Sequence, residues 1–282
     1  MIRPSLFLIF ALLAAPAGAE SFPQAKRVVS LGGSITEIVE ALGQRDRLVA
    51  RDTTSTWPPE VTALPDVGYV RALSPEGLIS VGPDLILAEA GAGPAETVAQ
   101  MRNAAIPFIT IPEGQDGPGV AAKIRAVGEA LGTPAAAADL AAKVQAQIDA
   151  ATERAAGLER PRVLFVLSLQ GGRVLASGTG TQADAIIRLA GGENVINEFQ
   201  GYKPLTDEAI ITARPEVILM MDRGGDHGTT ADQLFALPAL ATTPAAAERR
   251  LVQMDGLLML GFGPRTGDAV ETLSEALHGH GG

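Results

Sequence analysis

The only two tyrosines of this 282-residue chain stand in similar surroundings, because each directly follows a glycine, in Gly68-Tyr69 and Gly201-Tyr202. Arg71 lies two residues beyond Tyr69, so their side chains would share one side of an extended loop. A nearby guanidinium favours the phenolate anion, which a free tyrosine forms only near pH ~10. Phenolate oxygen binds hard cations such as ferric iron. Tyr69 with Arg71 is therefore a candidate metal-binding pair, whereas Tyr202 is followed by Lys203-Pro204 instead of an arginine.

Two glutamates recur at equivalent places in an internal repeat. The segments Leu73–Leu87 and Leu205–Leu219, 132 residues apart, agree in residue type at nearly every position. In each segment a serine or threonine caps a helix, Glu76 or Glu208 lies in its first turn, and a proline ends it before a buried strand. The repeat predicts that each half of the chain carries the same structural unit.

The rest of the sequence alternates short apolar runs with amphipathic segments, the pattern of a parallel sheet covered by helices. In the first half the expected strands are Arg27–Leu31, Leu48–Arg51, Asp84–Ala88 and Pro107–Ile111. The expected helices are Ile35–Leu42, Pro75–Val81, Ala95–Ala104 and Val120–Leu131. A second strand-rich region starts with Arg162–Ser168. Both tyrosines then fall where loops leave a sheet, the edge at which open α/β sheets bind ligands.

A long helical segment joins the two halves. Residues 135–158 are rich in Ala, Gln, Lys and Glu, with Pro134 near the start and Gly157 near the end. At ~1.5 Å per residue such a helix is about 35 Å long, enough to bridge two lobes. We expect an α/β protein with two Rossmann-like lobes, each with a parallel sheet, joined by one long helix, and a ligand cleft between the lobes. The expected divisions are an N-terminal lobe at 24–133, a connecting helix at 134–158, a C-terminal lobe at 159–277 and a loose tail at 278–282.

The N-terminus has the pattern of a secretory signal peptide. Arg3 precedes an apolar run from Leu6 to Ala15, and Ala17-Gly18-Ala19 supplies the small residues of a cleavage site. We expect residues 1–19 to be removed on export. The chain contains no cysteine, which excludes disulfides, thiolate metal sites and a lipid-modified N-terminal cysteine. These features predict a protein that is free in the periplasm.

Composition and motifs exclude several functional classes. The 32 acidic and 22 basic residues give a net charge of −10, which would repel a nucleic-acid backbone. The glycine-rich runs lack a P-loop lysine, no G-x-S-x-G elbow occurs, and His227 is the only histidine before the last five residues. An enzyme and a zinc or manganese carrier are therefore both disfavoured. The sequence favours a binding protein with a cleft.

From about Arg27 to Leu277 the chain resembles the helix-linked periplasmic substrate-binding proteins of ABC importers, which carry corrinoids, ferric siderophores and haem. It is most similar to the haemin-binding members. The matching stretches are Arg27–Glu37, Leu64–Ser74 with its Gly-Tyr-x-Arg-x-Leu-Ser, Gly201–Leu205 and Leu260–Arg265. The resemblance implies haem as the carried ligand, an inner-membrane ABC permease dimer with its ATPase as the partner, and an outer-membrane haem receptor upstream. A corrinoid or a ferric siderophore is the alternative ligand.

The resemblance also implies roles for individual residues. Tyr69 would ligate ferric haem iron, Arg71 would hydrogen-bond the phenolate, and Glu76 and Glu208 would dock on arginines of the permease. Some members add a histidine after a Leu-Ser in the second lobe, but here Leu167-Ser168 is followed by Leu-Gln-Gly-Gly. We therefore expect a five-coordinate, high-spin haem. Further candidates for the ligand site, some of them for the haem propionates, are Gln170, Tyr202, Arg223, Lys203 and Arg265.

Overall fold

Two β-sheets, each covered by helices, are connected by one long helix in the computed structural model, which describes residues 20–170, 173–222 and 229–279. The expected α/β fold class is therefore confirmed. The predicted signal peptide at 1–19 lies outside the described residues. Within the described ranges no helix is long and apolar enough to cross a membrane.

The first lobe contains a wholly parallel sheet. Its strands are β1 (Val28–Leu31), β2 (Leu48–Arg51), β3 (Leu85–Glu89) and β4 (Phe108–Ile111), in the order β2-β1-β3-β4. Its helices are α1 (Gly33–Ala41), α2 (Pro75–Ser80), α3 (Ala95–Asn103) and α4 (Gly117–Leu131), with short 3₁₀ turns at Arg45–Arg47 and Pro59–Ala63. The four strands and four helices predicted for this half are present, with ends displaced by up to three residues.

The second lobe contains a mixed sheet. Its strands are β5 (Arg162–Gln170), β6 (Arg173–Ser177), β7 (Glu193–Asn194), β8 (Tyr202–Pro204), β9 (Val217–Asp222) and β10 (Leu251–Asp255). The order is β10-β9-β5-β6-β8, with β7 beside β5, and β6 runs antiparallel to both of its neighbours. A wholly parallel sheet was expected here. Only Gly171-Gly172 separates β5 from β6, and a parallel connection needs a dozen or more residues, so these strands can pair only antiparallel.

Helices cover the second sheet and connect it to the first. After the connecting helix α5 (Pro134–Ala156), the described helices are α6 (Gln182–Leu189), α7 (Asp207–Ala213), α8 (Ala231–Phe235), α9 (Pro238–Ala241), α10 (Pro244–Ala247), α11 (Gly256–Leu260) and α12 (Thr266–His278). Helix α5 buries one stripe of small and branched residues at three- and four-residue spacing, Ala137, Ala141, Val144, Ile148, Ala151 and Ala155. It packs against α4 on one side and α12 on the other.

One apolar core runs through both lobes and the connecting helix. It includes Val28 and Leu85 of the first sheet, Val144 of α5, and Phe165 and Met259 of the second lobe. Protein interiors are close-packed, so lobes that share one core resist rotation relative to each other. The relative position of the two lobes is therefore fixed by packing as well as by the helix.

The chain remains ordered to the end of α12. His278 was expected in a loose tail but is the last residue of that helix. Its ring nitrogens lie 2.7 Å from the carbonyl oxygen of Ser274 and 2.8 Å from that of Glu159. These contacts explain why the helix extends further than the glycine-rich ending suggests. Residues 280–282 lie outside the described ranges.

Candidate ligand-binding site between the lobes

Tyr69 lies on a loop that is anchored by buried valines and by backbone hydrogen bonds. Val67 and Val70 are buried, whereas Tyr69 is 48% exposed. The amide of Thr53 donates to the Gly68 carbonyl at 3.0 Å, and the amide of Gly93 donates to the Val70 carbonyl at 2.9 Å. The phenol is therefore presented to solvent from a backbone that is held on both sides.

The loop makes a turn at this point, where an extended chain was expected. The amide of Ala72 donates to the Tyr69 carbonyl at 2.7 Å, which closes a tight turn through Val70 and Arg71. Val70 points into the core, and the side chains of Tyr69 and Arg71 on either side of it are exposed. The side chains of Tyr69 and Arg71 are thus both accessible to a ligand. Their exposure results from the turn and not from the alternation of side chains along a strand.

Gly68 determines how the chain enters this turn. Its φ of 98° lies in the region that favours glycine. Its amide donates to the Asp66 carboxylate at 2.8 Å, and Asp66 also accepts from the Thr53 hydroxyl at 3.1 Å and from the Arg51 guanidinium at 3.2 Å. A residue with a side chain would be strained at Gly68, so the direction of Tyr69 depends on this glycine.

Arg71 makes one long ionic contact within its own lobe. Its Nη2 lies 3.9 Å from Oε1 of Glu89, at the end of β3, and its side chain is 54% exposed. Burial and, to a smaller extent, the nearby Asp52 raise the pKa of Glu89 to about 7, although the positive charge of Arg71 acts in the opposite direction. Because 3.9 Å is beyond hydrogen-bonding distance, the guanidinium keeps its donors for another acceptor.

Tyr202 lies in the second lobe within electrostatic reach of Arg71. Burial raises its pKa, while hydrogen bonds with the Thr181 side chain and the Ala183 backbone and the charge of Arg71 act in the opposite direction. Its ring is packed 6.3 Å from the ring of Phe165. Burial therefore favours the neutral phenol at Tyr202, and Arg71 is near enough for its charge to act on that phenol.

A set of contacts joins the lobes beside these residues. Arg265 of the second lobe binds both carboxylate oxygens of Glu37 in α1 and lies 4.4 Å above the ring of Trp57. Buried Lys123 of α4 donates to the carbonyls of Gly261 at 3.2 Å and Phe262 at 3.1 Å, both in the second lobe. Burial raises the pKa of Glu37 and lowers that of Lys123, in each case against the opposite effect of nearby charges.

Two of the basic side chains that were predicted to bind an anionic group of the ligand contact other residues of the protein. Arg265 is engaged by Glu37 and Trp57, so its guanidinium is not a free donor. The Lys203 ammonium lies 5.2 Å from the centre of the Phe199 ring. Arg223 and His227 lie outside the described residues, as does the side chain of Gln170, whose backbone ends β5. Arg71 lies 3.9 Å from Glu89 in the first lobe, and its positive charge acts to lower the pKa of Tyr202 in the second lobe.

A cavity of about 750 Å³ lies at the opposite end of the second sheet. It is lined by Pro161, Glu216 and Arg250, which immediately precede β5, β9 and β10. Ligands of open α/β sheets bind at the carboxyl ends of the strands, whereas this cavity lies at the amino ends. The lining of this cavity also contains several charged side chains, whereas pockets for small ligands are lined mostly by apolar ones. The tyrosine-bearing edge is the better candidate.

The two repeated helices present their glutamates to solvent. Ser74 caps α2 by accepting from the Gly77 amide at 3.0 Å, and Thr206 caps α7 by accepting from the Ala209 amide at 3.2 Å. Glu76 and Glu208 are both exposed in the first turn. Each lobe thus carries one short capped helix with an exposed carboxylate, as the repeat predicts.

Residues 28–257 match the model of the family described as periplasmic binding protein. The chain belongs to the periplasmic binding protein family. It is similar to the structure of the periplasmic heme-binding protein BhuT in complex with two hemes, at 43% identity and a TM-score of 0.84, over 89% of this chain and 97% of BhuT. It is also similar to the apo form of the periplasmic heme-binding protein RhuT from Roseiflexus sp. RS-1, at 39% identity and a TM-score of 0.86, over 90% of this chain and 98% of RhuT.

Relatives by sequence carry other names. The vitamin B12-binding protein of Yersinia pseudotuberculosis is 28% identical over 220 residues, which cover 77% of this chain and 75% of the relative. An uncharacterized ABC transporter substrate-binding lipoprotein, YvrC of Bacillus subtilis, is 27% identical over 257 residues, which cover 90% of this chain and 80% of YvrC. This periplasmic binding protein therefore belongs among transport proteins of ABC import.

Several residues of this periplasmic binding protein were missed by sequence reasoning. Glu89 is the last residue of β3 and Asp52 directly follows β2, so both lie at the carboxyl edge of the first sheet, and that position was the available signal for both. The carboxylate of Asp52 accepts from the Gly32 amide at 3.0 Å and from the Ser55 hydroxyl at 2.8 Å, which fixes the loops beside β1 and β2. The role of Lys123 could not be predicted from the local sequence, because it donates to backbone carbonyls of a segment that is distant in sequence.

Proposed function

We propose that this protein binds haem between its lobes and carries it through the periplasm to an ABC permease. The observation that carries the proposal is the exposed Tyr69 beside Arg71, whose charge reaches Tyr202 in the opposite lobe. The haem-binding structures to which the chain is similar, at 43% and 39% identity over almost the whole described chain, support the choice of ligand.

Tyr69 supplies the iron ligand in this proposal. Ferric iron is a hard cation, and a phenolate oxygen is one of the axial ligands that haem proteins use. Arg71 hydrogen-bonds that phenolate, since the one ionic contact that its guanidinium makes among the described residues is the long one with Glu89. Tyr202, which burial holds neutral, contributes a flat apolar ring and a hydroxyl to the opposite wall.

The second lobe contributes no histidine ligand in this proposal. Ser168 stands near the end of β5, and its buried hydroxyl has no hydrogen-bond partner among the described residues. Gln170 and Arg223 stay sequence-based candidates for the ligand site in this proposal, since the side chain of Gln170 and all of Arg223 lie outside the described residues. The bound ferric haem is therefore five-coordinate and high-spin.

Delivery uses the two repeated helices. Glu76 and Glu208 dock on arginines of the inner-membrane permease dimer, which works with its ATPase, and an outer-membrane receptor supplies the haem. Residues 1–19 direct export and are then removed. Since the chain has no cysteine to carry a lipid anchor, the mature protein is free in the periplasm.

A corrinoid is the second candidate ligand, because the vitamin B12-binding relative covers 77% of the chain. A ferric siderophore is the third. Separate titrations of the apo-protein with haemin, cyanocobalamin and ferrichrome distinguish them. Haemin is expected to give a Soret band that saturates at a defined ratio and that neither competitor reduces. Saturable binding of cobalamin or ferrichrome without any for haemin would overturn the choice of haem.

A further inference from the structure

Two of the most exposed large hydrophobic side chains occupy equivalent positions in the internal repeat. Ile79 is 52% exposed and Ile211 is 49% exposed. They are 132 residues apart, the same separation that relates Glu76 to Glu208. A single exposed isoleucine needs no explanation, but the same exposure at matched positions of both lobes does.

Each isoleucine lies on the same helical surface as the glutamate of its lobe. Ile79 is three residues after Glu76 in α2, and Ile211 is three residues after Glu208 in α7. Residues at this spacing are neighbours on a helix surface. The preceding residue in each helix, Leu78 or Ile210, is buried. The helices are therefore anchored to their lobes, and the exposed isoleucines do not result from loose packing.

The charge of the two helices indicates what kind of partner they fit. Neither α2 nor α7 contains a basic residue, and α7 carries Asp207 beside Glu208. A second copy of this chain would place carboxylates against carboxylates, whereas a basic partner surface would complement both helices. The repeat relates one helix to the other, so a two-fold partner would meet both with the same surface.

We propose that Ile79 and Ile211 are the apolar anchors of the docking contact, each inserting beside a cation of the permease dimer at a matching apolar pocket. This inference rests on the proposed docking of Glu76 and Glu208 and extends it. An exposed ion pair alone contributes little to affinity, whereas an apolar contact beside it excludes water and slows dissociation. The glutamates then set the association rate and its salt dependence, and the isoleucines set the dissociation rate.

The test measures binding of the haem-loaded protein to the cognate permease–ATPase complex in nanodiscs. The variant is Ile79→Ser with Ile211→Ser. Leu158→Ser is the matched control, because Leu158 is 45% exposed and lies outside both helices. We expect dissociation about fivefold faster for each single change and about 25-fold faster for the double variant, with the salt dependence of association unchanged. The control should dissociate like the wild type.

The outcomes separate this inference from the proposed function. Wild-type dissociation kinetics in the double variant would overturn the inference while leaving the proposed function intact. Failure of the wild type itself to bind the complex, or loss of the Soret band, would overturn the proposed function. A concentration-dependent dimer of the wild type that the double variant abolishes would assign the isoleucines to self-association and overturn the inference. Circular dichroism checks that each variant is folded.

Discussion

Arg265 in the second lobe binds both carboxylate oxygens of Glu37 in the first lobe, across 228 positions of sequence. The pair is largely buried, with 22% of the Arg265 side chain and 6% of the Glu37 side chain exposed. Together with Lys123 and the shared core, it fixes how far apart the lobes stand. These contacts hold the two lobes in one relative position.

Breaking this pair is expected to destabilise the protein strongly. Arg265→Ala leaves the Glu37 carboxylate buried without its partner, so the free energy of unfolding should fall by about 3 kcal/mol. Urea denaturation followed by the fluorescence of Trp57, the only tryptophan, measures it. Arg154→Ala is the control, since its pair with Glu271 is exposed and should contribute about 0.5 kcal/mol at most. Equal effects of the two changes would show that the lobes are not held by this pair.

Glu89 is expected to make stability depend on pH near neutrality. Its pKa of about 7 in the folded protein exceeds its ordinary value of 4.5, so the folded state binds the proton more tightly. The stabilisation is complete below pH 4.5 and is lost as the pH rises through 7. Glu89→Gln removes this dependence. Relative to the wild type, the variant should gain up to about 3 kcal/mol in free energy of unfolding between pH 4 and pH 9.

Urea denaturation at a series of pH values measures the difference, and exposed Glu60 provides the control as Glu60→Gln. A difference between wild type and Glu89→Gln that stays constant with pH would show that the pKa of Glu89 is the same in the folded and unfolded states. Because the wild type and the variant are compared at each pH, groups that do not interact with Glu89 contribute equally to both.

Gly68 is expected to control the direction of Tyr69. An added Cβ at Gly68 meets no atom within 4 Å, so Gly68→Ala acts only through the backbone conformation at φ 98°. We expect a loss of about 1 kcal/mol of stability and a haem affinity about tenfold lower. Gly157→Ala is the control, because Gly157 also has open space around it but has a φ of −86°. Unchanged haem affinity in Gly68→Ala would show that the turn does not position the phenol.

Charge reversal at both repeated helices is expected to abolish import without changing the ligand site. Glu76→Lys with Glu208→Lys removes both proposed docking carboxylates, while haemin titration should give the wild-type Soret band. Growth on haemin as the iron source measures import. Glu96→Lys is the control, because Glu96 is also exposed in a first turn, on α3, but lies outside the repeat. Normal growth of the double variant would refute the docking role.

Local signals in the sequence were enough for most of the fold. Apolar runs and helix caps predicted the four strands of the first lobe, and the repeat between Leu73–Leu87 and Leu205–Leu219 predicted α2 and α7. The antiparallel β6 was missed, because the sequence after Leu167-Ser168 was searched for a histidine ligand and not for a second strand. A two-residue connection between apolar runs was the available signal.

Long-range pairing explains most of what the sequence did not predict at the site. Arg265 was a candidate for binding a ligand anion, since no local pattern connects it to Glu37 or Trp57. The loop at Tyr69 was treated as extended, whereas the hydrogen bond from Ala72 makes it turn. The exposure of both Tyr69 and Arg71 follows from the burial of Val70 between them, which depends on the core of the first lobe.

The central claim is that Tyr69 is the residue that would hold haem iron. The most direct measurement is the absorption and EPR spectrum of the protein loaded with one equivalent of haemin, compared between wild type, Tyr69→Phe and Tyr202→Phe. We predict a high-spin ferric signal with a tyrosinate charge-transfer band that is retained in Tyr202→Phe and lost in Tyr69→Phe. A low-spin signal in the wild type, or an unchanged spectrum in Tyr69→Phe, would contradict the claim.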